Sequence, residues 1–336
     1  MELDVYAFGN ALVDIQVRVQ DSVLPALGFA KGNRYLTEPG RQQEILRRLL
    51  GSDSLASAQK AGKVQLAAGG SAANTMYGLS QLGGRAGFCG RIGNDRLGAL
   101  YAKHMRQSGI FFRKRTGQGM TGTCIVLITD DAQRTMLTCL GVSGQIGCED
   151  IDQELIRRSR FIYVEAYLLD SECAARTILQ AVTIARESGV KVALAASDAD
   201  CVVRHRDPLL QFIENGVDLL FANAQEARAL SGTDNDKEAL QVLSGWCEGV
   251  AVTDGEHGST VSANGKAVKI APYVVSAVDT TGAGDAYAAG LLYGIISSHT
   301  IAESGRIASF YSAKVVAQIG ARYKGNNIQA EMKKLV

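Results

Sequence analysis

Asp279-Thr280-Thr281-Gly282-Ala283-Gly284-Asp285 is the stretch on which the reading of this chain turns. The apolar run Val274–Val278 before it predicts a strand, and Ala286–Ile296 after it predicts a helix free of charge. Small residues at a strand-to-helix turn let the backbone approach a ligand closely. The N–H groups of Gly282, Ala283, Gly284 and Asp285 are expected to point outward unpaired at the helix start, an anion site that the helix dipole strengthens. Asp285 lies at that positive end and is expected to be ionised. A carboxylate beside an anion hole suits removal of a proton from a nucleophile that attacks a phosphate. For a lone Gly-x-Gly-Asp, a plain capping aspartate in a shaped turn is the better reading. Here both threonines and both aspartates are packed with the small residues, and other segments agree.

Upstream, Ala67-Ala68-Gly69-Gly70-Ser71-Ala72-Ala73-Asn74 runs small up to Asn74, which lies one turn into a predicted helix, Ser71 to Leu82. A ligand can press against such backbone, and the Asn74 carboxamide can bond sugar hydroxyls; close packing of helix on strand is the alternative. Asn10–Asp14 ends the first predicted strand, Val5–Gly9, where ligands of parallel sheets bind. Asp14 could hold two vicinal hydroxyls, or be a solvated turn aspartate. Asn223 and Glu226, three apart on one helix face, could order water around Mg²⁺, although a helix cap with a first-turn acid is the commoner use of that spacing. Thr253-Asp254-Gly255 follows the predicted strand Val250–Val252 and either contacts nucleotide phosphates or simply turns.

Strands alternate with helices along most of the chain, which implies an α/β fold with a largely parallel sheet covered on both faces. The half-wet strands at Ile15–Val19, near Lys31–Leu36, and in a hairpin of Thr123–Thr129 and Thr135–Leu140 turning at 130–133 do not fit that alternation. They are expected to form a small separate sheet beside the site, a lid. No linker or repeat divides the chain, so residues 1–336 read as one domain carrying lid segments at about 15–37 and 119–141.

Several function classes drop out. A net charge of +1 gives no electrostatic reason for a nucleic-acid or membrane partner. No apolar stretch is long enough to span a bilayer, and the start Met1-Glu2-Leu3-Asp4 lacks the features of a signal peptide. Seven cysteines without a C-x-x-C fit reduced thiols in a cytoplasmic protein better than zinc or a disulfide framework. The four histidines are dispersed. Gly117-x-Gly119-x-x-Gly122 matches a dinucleotide fingerprint in letters, but precedes a strand and follows none, so a nicotinamide oxidoreductase is rejected. No P-loop or protein-kinase set is present.

Taken together, Asp279–Asp285, the run Gly69–Asn74 with Gly90–Asp95 downstream, and Asn223–Glu226 as N-x-x-E resemble the ribokinase-like (PfkB) carbohydrate kinases, in the right order over nearly the whole chain. The start Gly9–Ile15, Thr121–Cys124 with Arg134, and Glu165–Leu168 are similar to the adenosine kinase branch. The resemblance implies a three-layer αβα core of nine or so strands with a β-sheet lid. It implies transfer of the γ-phosphoryl of ATP, with Mg²⁺ and possibly K⁺, to the hydroxymethyl group of a nucleoside or sugar, adenosine favoured and ribose or fructose the alternative. A non-catalytic nucleotide- or sugar-binding protein is the remaining alternative, and intact Asp285, Gly282 and Gly284 argue against it. By position, Asp285 is the base, with the amides of Gly282, Ala283 and Gly284 as the anion hole and Arg134 reaching from the lid to the transferred phosphate. Asn10, Asp14, Gly69, Gly70, Ser71 and Asn74 hold the sugar; Leu12, Cys124 and Tyr167 line a pocket for its base. Asn223, Thr253, Gly255, Thr281 and Gly284 serve the nucleotide, and Glu226 with Asn223 the metal. The small-molecule kinases of this family imply a monomer or homodimer. One departure stands out: Ser197-Asp198-Ala199-Asp200 replaces the Ser-Asp-Pro-Phe expected of relatives, so an aromatic that could stack a purine is missing.

Overall fold

The computed structural model describes residues 2–131 and 133–335; Met1, Val336 and Ala132, at the expected hairpin turn, lie outside the described residues. Nine strands form the main sheet, in the spatial order Lys266–Ile270, Ser259–Ala263, Gly249–Thr253, Leu219–Asn223, Lys191–Ala195, Ser159–Glu165, Leu3–Phe8, Ala86–Cys89, Phe111–Phe112. From Gly249–Thr253 onward every neighbour is parallel. The two strands at the opposite edge are antiparallel. Central strands such as Leu219–Ala222 are buried on both faces, as near-continuous apolar runs require when helices cover each side. The sheet thus separates two large apolar clusters, one under the helix Glu172–Glu187 and one under Ser71–Leu82 and Ala283–Ile296.

The lid is a second, five-stranded sheet in the order Arg34–Leu36, Arg134–Cys139, Gly122–Ile128, Leu12–Arg18, Gln65–Ala68. The expected hairpin is there, with Thr138 opposite Cys124. It is not half-wet: every residue of Gly122–Ile128 is buried. The reason is that the strand sits centrally and the helix Pro39–Leu50 covers its outer face. From that helix, buried Gln42 donates to the carbonyls of Leu137 at 2.7 Å and Thr123 at 3.3 Å.

Three further sequence expectations are corrected. Val274–Val278 is not a strand; the chain there runs unpaired along the surface, with Val274 87% exposed, and rejoins the body where the N–H groups of Val278 and Asp279 donate to Val316 O. Apolar composition misled because the chain there runs alongside the helix Ile301–Val316, bonded to it at Ser309 and Val316, instead of entering a sheet. Ala86–Ile92 is two strands: Ala86–Cys89 belongs to the main sheet, and Arg91–Gly93 pairs with Arg115–Gly117. Ala67 and Ala68, read only as part of a ligand-facing run of small residues, also close a lid strand, Gln65–Ala68, antiparallel to Leu12–Arg18.

Among the described residues, no helix is long and apolar enough to cross a membrane.

Candidate active site

Two helices open side by side at the carboxyl ends of the core strands. Ser71–Leu82 begins at Gly70, and Ala283–Ile296 begins at Gly282. They pack against one another, and Ala283–Ile296 also lies along Ile301–Val316. Gly69 and Gly70 make the first turn possible. A Cβ on Gly69 would meet the Asp14 carboxylate at 2.4 Å, and one on Gly70, at φ +89°, would meet Asn10 O at 2.2 Å. Lid and core therefore touch through backbone here, which sets Asp14 of the lid strand over the two helix starts.

The cavity between lid and core measures about 410 Å³, within the range of small-ligand sites. Its wall contains Asn10, Leu12, Asp14, Gly70, Ser71, Asn74, Cys124, Tyr167, Asn223, Glu226, Thr253, Thr281, Gly282, Ala283, Gly284 and Asp285. Residues nearly 300 positions apart in sequence thus converge on one space. Three expected members stand outside the wall. Gly69 lies behind Asp14, as described. Gly255 opens a short 3₁₀ turn beyond the strand end. Arg134, expected to reach a transferred phosphate, is instead ion-paired with buried Asp279. Asp279 accepts from the N–H of Thr281 at 3.0 Å and from that of Gly320, so Arg134 ties the lid to the base of the Asp279–Asp285 turn.

Asp285 is held from both sides. Its Oδ1 accepts from Ser71 Oγ at 2.8 Å and its Oδ2 from Asn74 Nδ2 at 3.1 Å. Removal from water raises its pKa above the ordinary carboxylate value, against those two hydrogen bonds and the charge of Arg322. The amide expectation needs one correction. Ala283 N–H donates to Thr280 O at 3.1 Å, closing the turn. Among the described residues, the N–H groups of Gly282, Gly284 and Asp285 have no such partner, so those three are the ones available to face an anion.

Asn74 was expected to hold a sugar, yet both ends of its carboxamide are committed: Nδ2 to Asp285, and Oδ1 to Arg322 Nε at 2.8 Å. Arg322 is a member of this hydrogen-bond chain that the sequence reading missed. It follows the last long helix, in no motif, and nothing in its spacing points to the site. Glu165 was noticed only within the resemblance. It is 1% exposed at the end of the apolar strand Ser159–Glu165, and accepts from Ala72 N at 2.7 Å and Asn10 N at 3.4 Å. A charged residue closing a central apolar strand is a legible sign of a ligand site.

Asn223 and Glu226 realise the helix-cap alternative. Asn223 N–H and Nδ2 donate to the two Glu226 oxygens, and Glu226 N–H donates to Asn223 Oδ1 at 2.8 Å. The pair still faces the cavity. An ionised carboxylate has about four acceptor positions, so Glu226 keeps lone pairs for the water shell of a Mg²⁺ ion, which holds on to its waters.

Burial pushes the pKa values of Asp14, Glu165 and Glu226 up to about 7. Unfolded, such groups release their protons near pH 4. Between those limits the folded state binds more protons, so stability falls as pH rises. His104, whose pKa is lowered by burial, offsets part of this. The ligand-free protein is expected to melt at a higher temperature at pH 6 than at pH 8. A melting temperature that is flat or rises over that interval contradicts the burial of these carboxyls.

Comparison with known proteins identifies the family. The model of the pfkB family carbohydrate kinases matches residues 46–328. The crystal structure of adenosine kinase from Sinorhizobium meliloti is 34% identical and aligns over 100% of both chains with a TM-score of 0.91. A probable sugar kinase protein from Rhizobium etli CFN 42 is 31% identical over 100% of both chains, with a TM-score of 0.92. An uncharacterized sugar kinase of Archaeoglobus fulgidus is 28% identical over 252 residues, 73% of this chain and 96% of that protein. The chain belongs to the pfkB family of carbohydrate kinases, and is an ATP-using kinase of small sugars or nucleosides.

Proposed function

We propose that this kinase transfers the γ-phosphoryl group of ATP to the hydroxymethyl oxygen of a nucleoside, with adenosine the first acceptor and Asp285 the general base. The observation that carries the reading is the placement of Asp285. Its carboxyl is held by Ser71 and Asn74 beside the unpartnered amides of Gly282, Gly284 and its own residue, inside a cavity that also holds Asp14. In this reading Asp285 takes the proton of the attacking hydroxyl, and the three N–H groups meet the charge on the migrating phosphoryl. Asp14 orients the sugar from above. Glu226 and Asn223 would hold Mg²⁺ through water, and the ion when bound supplies positive charge to the nucleotide phosphates. The lid strands exclude water from the transfer.

Beyond the sugar position the wall is formed by Leu12, Cys124, Met136 and Tyr167, apolar surface that supports a nucleoside over a free pentose. ADP release measured with ATP and adenosine, inosine, guanosine, ribose or fructose separates the two. Nucleosides are expected to be turned over best, and phosphorylation of the free sugars alone overturns the reading.

A further inference from the structure

Four carboxyls line the cavity: Asp14, Glu165, Glu226 and Asp285. Among the described residues, the one Lys or Arg side chain that lines it is Arg34. Arg34 opens the edge strand of the lid, paired at Met136, at the end of the cavity that holds Cys124 and Tyr167. Its guanidinium carbon lies 3.6 Å from the centroid of the Tyr167 ring. Its Nη1 is 3.2 Å from Asp198 Oδ2, and the side chain is 17% exposed.

This arrangement is braced from below. Tyr167 donates its hydroxyl proton to Ser197 O at 3.3 Å. Asp198 is fixed because its Oδ1 accepts Cys201 N–H at 2.6 Å as the cap of the helix Ala199–Arg204. The stretch that supports Arg34 is therefore Ser197–Asp200, where the sequence lacks an expected aromatic. A planar cation stacked on Tyr167 stands at the base-binding end in its place. A stacked guanidinium keeps its own plane and in-plane donors fixed, which lowers the entropy lost on each further hydrogen bond. Among the described residues, Nε and Nη2 of Arg34 donate to no protein acceptor.

Such a group discriminates by hydrogen-bond polarity. A 6-oxopurine presents two adjacent acceptors, O6 and N7, that a guanidinium meets with two parallel N–H groups. Adenine presents N7 beside an amino donor, which opposes the second bond. We propose that Arg34 is a specificity-determining residue through which this kinase accepts 6-oxopurine nucleosides in addition to adenosine. The inference rests on the nucleoside reading above and adds the class of base.

The test compares wild type with Arg34→Met and Arg34→Lys, measuring kcat/KM for inosine, guanosine and adenosine in each. The ratio of inosine to adenosine is independent of how much of a preparation is folded. Arg34→Met is expected to lower that ratio roughly 10- to 100-fold, the discrimination of one bidentate pair. Arg34→Lys, with charge but no fork, is expected to restore little of it. Wild-type enzyme that uses adenosine but neither 6-oxopurine nucleoside overturns the role of Arg34. So does a ratio that changes less than threefold in Arg34→Met. Wild-type enzyme that phosphorylates only free sugars overturns the nucleoside reading itself, a result seen before any substitution is made.

Discussion

Asp285→Asn is expected to lower kcat by about 10²- to 10⁴-fold, the contribution of a positioned general base, with little change in melting temperature. The substitution keeps shape and volume. The asparagine oxygen can still accept from Ser71 Oγ, now 2.8 Å from Oδ1, while its amino group is left facing the Asn74 amino group that Oδ2 accepts today. That mismatch is a local cost at a half-buried position, not the loss of a core contact. What disappears is the carboxylate that the hydrogen bonds of Ser71 and Asn74 hold in place to take the proton. The amides of Gly282, Gly284 and residue 285 remain, so nucleotide binding should be close to wild type and residual turnover should reflect positioning alone. Steady-state kinetics with a melting curve for each protein decides it. Turnover near the wild-type value in Asp285→Asn removes Asp285 as the base, and a collapse of nucleotide affinity shifts its role to binding. In wild type the acid limb of kcat against pH is expected above the ordinary carboxylate range, because removal from water raises the Asp285 pKa.

How far this site could be read from the chain depended on the kind of signal each residue carries. Asp285, Gly282 and Gly284 were legible because one short run holds the carboxylate, the small residues and the helix start together. Asn74 was legible as a site residue, but its expected use differed from its partners in the fold. A carboxamide can turn either way, and only the neighbouring Arg322 fixes which end faces Asp285. Arg134 was placed in the lid, but its pairing with Asp279 was not foreseen, since it joins positions 145 apart that no periodicity connects. The lid strand Gln65–Ala68 was hidden because two of its four residues are alanines, poor strand formers whose pairing with Leu12–Arg18 is imposed by the turn at Gly69-Gly70. Val274–Val278 shows the converse: strong local β-propensity without a sheet edge to join. Arg34 read as a polar residue on a half-wet strand. Its stacking on Tyr167 depends on contacts across lid and core, which a pattern of alternation does not contain.

Arg322→Met is expected to lower kcat about 10- to 100-fold, as loss of a charge-assisted hydrogen bond acting on the base implies, and to move the acid limb of the pH profile upward. Among the described residues, the hydrogen bonds of Arg322 reach Asp285 through Asn74. Its Nε donates to Asn74 Oδ1 at 2.8 Å, which leaves the Asn74 amino group to donate to Asp285 Oδ2 at 3.1 Å. Without that donor the carboxamide is free to reverse and present its oxygen to the carboxylate, a repulsive pairing when Asp285 is ionised. The positive charge acts in the same direction. Arg322 lowers the pKa of Asp285 against the effect of burial, while Asp14, Glu165, Glu226 and Tyr163 are the other titratable groups near that carboxyl. Removing the one cation among them must raise the Asp285 pKa, so a higher pH is needed to produce the ionised base. Arg322→Lys retains the charge without the planar fork. It should hold the limb nearer its wild-type position while recovering only part of kcat. A purely structural role predicts lower kcat from misfolded protein with no displacement of the limb. An unmoved acid limb in folded Arg322→Met would therefore show that Asp285 is positioned without help from Arg322.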